Sequence, residues 1–243
     1  MESMIRLLPY AVADGPRNMA ADETLVRSAA AGIASLRFYG WTQATVSLGY
    51  FQPAAVRVAD PHLANLPWVR RPSGGATLVH HHELTYAISL PCGSPWQTGE
   101  SWMPRMHRII TSALWRSLSI EVVAATAVAK ASDVLCFQQH TPGDLLSGGH
   151  KIVGSAQRKY RQALMQHGSV MLAQSEYAPA LPGIRETTGI HLDAQPLADA
   201  IGAAFANETA WRVEARDWTA CEKSRIEELA LSRYATGAWN ERR

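Results

Sequence analysis

Two stretches decide how this chain folds: Arg70-Arg71-Pro72-Ser73-Gly74-Gly75-Ala76-Thr77-Leu78-Val79-His80 and Gly149-His150-Lys151-Ile152-Val153-Gly154-Ser155-Ala156-Gln157. Each joins a glycine turn to an alternating apolar run, the pattern of a half-buried strand. The first closes with Glu83-Leu84-Thr85-Tyr86, and the second is followed by Gln166-His167-Gly168-Ser169. Glycines permit close backbone approach to a ligand, and cationic or hydrogen-bonding side chains stand at both turns. That combination suits a site holding an activated acyl group, with donors for developing negative charge beside apolar walls.

Outward from these segments the pattern predicts further elements. Residues 18–31 read as a helix, with Asn18 as N-cap, Asp22 and Glu23 near its positive end and Gly32 as its stop. Residues 35–39 and 45–50 read as a strand pair around Gly40, and 68–71, 76–79 and 84–89 as three more strands. Residues 103–118 place Met106, Ile109, Ile110, Ala113 and Leu114 at helical spacing. A short strand is expected at 121–125, more sheet at 145–146, 150–157 and 163–172, and helices at 197–205 and 219–234. Strands in runs with helices interspersed predict an α/β (α+β) fold, a mostly antiparallel mixed sheet flanked by helices.

The chain has 243 residues, 47% of them hydrophobic, which suits one domain over 1–243 with a full core. Net charge is +2 with both signs dispersed, so no basic block argues for nucleic acid. No apolar stretch approaches the length of a membrane span. The opening Met1-Glu2-Ser3-Met4-Ile5-Arg6 lacks the features of a secretory signal, so a cytoplasmic location is expected. Cys92, Cys136 and Cys221 are an odd number at scattered spacings, neither a disulfide framework nor a CxxC knuckle.

Each motif has a functional and a plainer reading. Ser73-Gly74-Gly75 after two arginines is an anion- or carbonyl-binding turn, or a hairpin turn with surface arginines; GxxxxGK[ST] spacing is absent. His80-His81-His82 cannot easily converge on one ion, because consecutive strand residues face opposite ways, so no metal site is expected and His80 is kept as a site residue. On strict alternation Lys151 shares a face with Val153 and Ser155; it polarises a carbonyl or moves a proton, or simply reaches solvent. Cys136, in Asp133-Val134-Leu135-Cys136-Phe137 before a loop over 138–143, is a nucleophile or an inert packing residue. Cys92 and Cys221 read as structural.

Taken together these motifs resemble the biotin/lipoate protein ligase catalytic-domain family over nearly the whole chain. The resemblance is carried by Asn18-Met19-Ala20-Ala21-Asp22-Glu23, Leu36-Arg37-Phe38-Tyr39-Gly40-Trp41, Ser47-Leu48-Gly49-Tyr50-Phe51-Gln52, the two glycine segments and Trp239-Asn240. It implies that family's catalytic-domain fold, here without the small C-terminal accessory domain of many ligases. Cys136-Phe137 lies fifteen residues before Lys151, an offset similar to that of the cysteine-dependent octanoyltransferases in the family.

The resemblance therefore implies an acyltransferase of lipoate metabolism. It would move an octanoyl or lipoyl group from an acyl carrier protein thioester, through Cys136, to a lysine of a lipoyl domain or glycine cleavage H-like protein. Cys136 and Lys151 are the expected catalytic pair, with His80 a further candidate for proton transfer. Expected substrate contacts are Arg70, Arg71, Ser73, Gly74, Gly75, Ala76, His80, Gly154, Ser155, Ala156 and His167. Arg70 and Arg71 would hold the carrier's phosphopantetheine region or an acidic partner surface. No cofactor is required on this reading. Two alternatives stay open: an ATP- and Mg²⁺-dependent lipoate-protein ligase, in which Cys136 is a bystander, and a non-catalytic acyl- or lipoyl-domain-binding protein. Asp144-Leu145 partly resembles an Asn-Asp pair of the ligases, without the Asn, and Ser73-Gly74-Gly75-Ala76 lacks both the third glycine of many ligases and the arginine of many transferases.

Overall fold

The computed structural model describes residues 3–97, 99–130 and 135–243. Its first seven strands are β1 (Met4–Leu7), β2 (Ala11–Ala13), β3 (Ser35–Trp41), β4 (Thr45–Leu48), β5 (Trp68–Arg70), β6 (Leu78–His80) and β7 (Glu83–Pro91). The rest are β8 (Val123–Ala124), β9 (Ala129–Lys130), β10 (Gln139–His140), β11 (Leu145–Ser147), β12 (His150–Lys159), β13 (Ala163–Met171) and β14 (Arg212–Ala215). The helices are α1 (Gly15–Ala30), α2 (Pro61–Ala64), α3 (Trp102–Leu118), α4 (Ile184–Thr188), α5 (Ala194–Thr209), α6 (Ala220–Leu229) and α7 (Gly237–Asn240).

The main sheet runs β14-β1-β3-β7-β13-β12-β11-β8, with β2 beside β3. Its β14–β1, β1–β3 and β2–β3 pairs are parallel. From β3 through β7, β13, β12 and β11 to β8 the pairing is antiparallel. The mixed, mostly antiparallel sheet expected from the strand runs is the one observed. A second sheet, β5-β4-β6, packs apart from it, and β9 and β10 form a short ribbon.

Strand alternation separates two faces. Leu84, Tyr86, Ile88 and Leu90 of β7 enter a core with Met106, Ile109 and Ile110 of α3 and Ile201 and Phe205 of α5. Ala87, one residue out of phase, joins Met19 and Ala20 of α1 with Tyr39 and Tyr234 on the other face. The small sheet has its own core, in which Val46, Leu48 and Val79 meet Leu135 and Phe137. Among the described residues, no helix is long and apolar enough to cross a membrane.

Several local expectations change. Helix α1 begins three residues early, at Gly15: Asp14 is the N-cap, accepting from Arg17 N at 2.9 Å, and Pro16 sits in the first turn. Asn18 is buried inside the helix, where its amide donates to the Ala13 and Gly40 carbonyls at 3.1 and 3.0 Å. Strands β3 and β4 do not pair, because β4 is occupied on both edges by β5 and β6. The helix expected over 219–234 ends at Leu229, and Ala230–Tyr234 continues as a wider π turn. Of the segment around Cys136, Asp133 and Val134 lie outside the described residues; Leu135 bridges Thr77 and Cys136–Gln138 is a 3₁₀ turn.

Glu222 ties the C-terminal helices to the sheet. It forms a capping box with Thr219 at the start of α6, accepts from Ser28 Oγ of α1 at 2.6 Å and pairs with Arg6 of β1. Burial alone would raise this carboxyl, but hydrogen bonds from Arg6, Ser28 and Thr219 and the Arg6 charge outweigh it and hold it at about 2, against 4.5. A carboxyl depressed in the folded state stabilises above its unfolded value, and that contribution is lost as pH falls through the folded one. Glu222→Gln is therefore expected to lower stability at neutral pH and to flatten the loss of stability between about pH 4.5 and 2, read by urea midpoints across that range.

Candidate functional site

Between the α1-side face of the main sheet and the small sheet lies a small cavity, partly open to solvent. Its wall carries Cys136, Arg71, Gly75 and His80 from the small-sheet side, and Gly154, Ala156 and His167 from β12 and β13; Ser155 also borders it. Met19, Leu78 and Phe137 supply apolar surface. Most residues singled out in the sequence thus converge on one space.

Lys151 reaches this site by a route that strict alternation does not predict. Leu145 pairs with Val153 but Leu146 with Lys151, so β12 carries a one-residue bulge around Ile152. Past the bulge, Ile152 and Val153 both enter the α3-side core. Lys151 lies instead on the face of Gly154, where any Cβ would collide with its Cε and come within 2.8 Å of its Nζ. Lys151 is buried at 8% exposure rather than reaching solvent. Its Nζ pairs with Asp144 Oδ2 at 2.9 Å, stands 3.9 Å from Cys136 Sγ and lies 5.1 Å from the centre of the Phe137 ring.

The two arginines separate. Arg70 is 0% exposed and bonded into the fold: Nε donates to Asn240 O at 2.9 Å, and Nη1 to the Gly49 and Gln52 carbonyls at 3.0 and 2.6 Å. The expected role of Arg70 in holding a donor or partner surface does not fit that burial. Arg71 points the other way and clamps the glycine turn, donating to the Gly74 and Ala76 carbonyls at 3.1 and 2.6 Å and to Ser47 O and Oγ at 2.9 and 3.0 Å. Burial pushes its guanidinium down to about 10, and the negative charge of a Cys136 thiolate works against that shift. Lys151 thus stands against the Cys136 sulfur, and Arg71 shares the cavity wall with it.

Three histidines hold serine hydroxyls around this centre. His107 Nδ1 donates to Gly143 O at 2.6 Å, and its Nε2 meets Ser155 Oγ at 2.7 Å. Burial lowers the His107 pKa, opposed by that carbonyl bond and the Asp144 charge, so the ring is neutral and Ser155 is the donor to Nε2. His80 joins Glu83 Oε1 at 2.6 Å to Ser47 Oγ at 2.7 Å. Burial alone would raise Glu83, but His80, Thr85 and Ser169 outweigh it and hold the carboxylate below its usual range. His167 joins Asp22 Oδ2 at 3.1 Å to Ser73 Oγ at 2.5 Å. His81 and His82 stack on each other at 3.7 Å and turn away, His81 meeting Ser175.

Sequence reading missed Asp144 as the partner of Lys151, and missed His107, Glu83, Asp22 and Ser47 in these networks. His107 and Glu83 had a signal: a histidine amid the apolar stripe of α3, and an acid three residues after His80. Asp22 and Ser47 had none beyond their placement in the two ends of the fold.

The Gly75 turn is shaped by close approach as well as by backbone torsion. Gly75 has φ +97°, and a Cβ at Gly49 would overlap the Gly75 carbonyl oxygen. A Cβ at Gly74 meets only Phe51, at 4.0 Å. Gly49→Ala should accordingly cost about 1–3 kcal/mol in urea unfolding, whereas Gly74→Ala should stay within about 0.5 kcal/mol of the parent.

With this geometry in place, comparison with known proteins is informative. Residues 14–181 match the family model of the lipoyl protein ligase A/B catalytic domain. The chain is 27% identical, over 273 aligned positions covering 98% of each chain, to octanoyltransferase LipM of Kyrpidia tusciae. It is 35% identical over 176 positions to octanoyltransferase LipM of Carboxydothermus hydrogenoformans, covering 69% of this chain and 64% of that one. A crystal structure of lipoate-protein ligase A bound with ATP superposes with TM-score 0.79 at 20% identity, covering 99% of both chains. A bipartite lipoate protein ligase of Thermoplasma acidophilum gives 0.76 at 17% identity, over 99% of this chain and 97% of that one. At these identities the two structures establish the shared fold.

Proposed function

The chain belongs to the lipoyl protein ligase A/B catalytic-domain family, and within it we propose that it is an octanoyltransferase working through a Cys136 thioester. The observation that carries this reading is the Cys136 sulfur 3.9 Å from the buried Lys151 Nζ, on a partly apolar cavity wall that Cys136 shares with Arg71. Near full-length similarity to octanoyltransferases supports it. A solitary packing cysteine does not require two buried cations, whereas a nucleophilic thiolate is favoured by them.

The acyl chain lies along the apolar cavity wall, and burying about six methylenes at ~0.8 kcal/mol each contributes roughly 5 kcal/mol before entropic costs. The Cys136 thiolate attacks the thioester carbonyl, and the carbonyl oxygen takes up negative charge near Lys151 and the Gly74 and Gly75 amides. Among the described residues those two amides have no acceptor within the fold. The carbon–sulfur bond to the donor then breaks, and the departing thiolate takes a proton from Lys151, which is left as a neutral amine.

In the second half the acceptor lysine arrives as an ammonium and passes one proton to Lys151. The free amine attacks the acyl-enzyme, the bond to Cys136 breaks, an amide forms and the second proton leaves to solvent. Asp144 then again faces a Lys151 ammonium. The donor is an acyl carrier protein thioester, the acceptor a lipoyl domain or a glycine cleavage H-like protein, and neither ATP nor Mg²⁺ enters the scheme. Ser73, Ala76 and His167 shape the turn and wall rather than react.

Intact-mass measurement of the protein with octanoyl-acyl carrier protein and no ATP tests this. One octanoyl group should appear on Cys136 and move to an added lipoyl domain. Cys136→Ser should lose transfer by about 10³-fold or more, and Lys151→Met by about 10²–10⁴-fold. Modification only with free acid, ATP and Mg²⁺, untouched by Cys136→Ser, would make the protein a ligase.

A further inference from the structure

We infer that Arg158, Arg242 and Arg243, gathered around the Tyr50 ring, bind the phosphate of the thioester donor's arm; this rests on the thioester reading above. The three guanidinium carbons lie 5.0, 4.7 and 5.3 Å from the centre of that one ring. Like charges crowded this closely repel, and among the described residues none of the three is ion-paired with a carboxylate. Nearby Arg233, by contrast, is paired with Glu23 at 2.7 Å. The excess charge is felt inside the fold: burial lowers the Arg70 pKa, and Arg242 and Arg243 lower it further. Such a cluster is neutralised by an anion, and guanidinium forks stacked on a ring keep edge donors for phosphate oxygens.

Its position fits an arm rather than a reacting group. Arg158 follows Gly154 and Ala156 at two-residue steps on β12, in a stretch of regular pairing with β13, so it shares their face. At ~3.3 Å per residue it stands about 13 Å along the strand from Gly154, against which Lys151 rests. The cluster is tied to the catalytic turn, because Arg158 donates to Pro72 O at 2.6 Å and Tyr50 N to Ser73 O at 2.8 Å. Phe51, 69% exposed, adds an apolar shelf beside it. An acceptor lysine has only a four-carbon stem and brings its protein surface close to the thiol. A long phosphorylated thiol arm instead carries its charge at a set distance from the thioester, which is what a remote, fixed arginine cluster matches. The anion-holding role anticipated for Arg70 and Arg71 thus passes to arginines on the outer side of the same turn.

The test compares S-octanoyl-4′-phosphopantetheine with S-octanoyl-pantetheine, which differ only in the phosphate, as donors to Cys136. The wild-type protein should favour the phosphorylated donor by tenfold or more in kcat/KM, less so as salt rises. In Arg158→Gln, and in the double variant Arg242→Gln with Arg243→Gln, the ratio should fall to within about twofold of unity. A ratio near one in the wild type, or a preference that survives the substitutions, overturns the site. If the ratio is unaffected while transfer from the intact carrier protein drops, the arginines face the carrier's acidic surface and the phosphate site is again overturned. No Cys136 adduct from either donor in the wild type overturns the thioester reading itself, and the site with it.

Discussion

A buried guanidinium with no carboxylate partner among the described residues is the constraint on which the site depends. Arg71 is 3% exposed and spends its donors on the carbonyls of Gly74, Ala76 and Ser47 and on the Ser47 hydroxyl. A buried charge held only by dipoles is costly, and the burial-driven fall in its pKa expresses that cost. The same bonds close the glycine turn onto β4 and keep a guanidinium on the cavity wall that also carries Cys136. The turn is ordered because Arg71 holds it.

The serine–histidine pairs work in the same direction. The Gly143 carbonyl can only accept, so His107 donates through Nδ1 and takes the Ser155 proton at Nε2. Arg71 can only donate, so Ser47 accepts from it, and the same hydroxyl meets His80, whose other nitrogen faces the Glu83 carboxylate. With Ser73 on His167, each ring is occupied at both nitrogens and serves to position loop and strand. His107 in particular holds the Gly143 carbonyl, next to Asp144, and so holds the partner of Lys151. On the proposed thioester route, proton movement therefore falls to Lys151, the amine already against the sulfur.

Much of this was legible in the sequence, for physical reasons. Long amphipathic stretches such as α3, β7 and β13 declare their period, and glycine turns between alternating runs declare where a backbone comes close to a ligand. What the pattern lacks is phase. Arg70 and Arg71 are neighbours at the end of one strand and point to opposite sides, so only tertiary packing decides which one is the clamp. A single-residue bulge at Ile152 moved Lys151 from the face of Val153 to that of Gly154. Asn18 has the chemistry of an N-cap and is used instead as a tertiary tie, because Asp14 and Pro16 had already started the helix.

The bulge also explains why the cavity exists on this face at all. A sheet face packed under a second layer normally fills with side chains. Here β12 presents Gly154 and Ala156, and the space above Gly154 is taken by the Lys151 stem lying along the strand. With strict alternation Lys151 would share the face of Val153, which lies in the α3-side core. With the bulge, the amine meets Asp144 and the sulfur, and Gly154 and Ala156 stand on the cavity wall with Met19 and Leu78. One extra residue in a strand thus turns a charged side chain from the α3-side core toward the cavity.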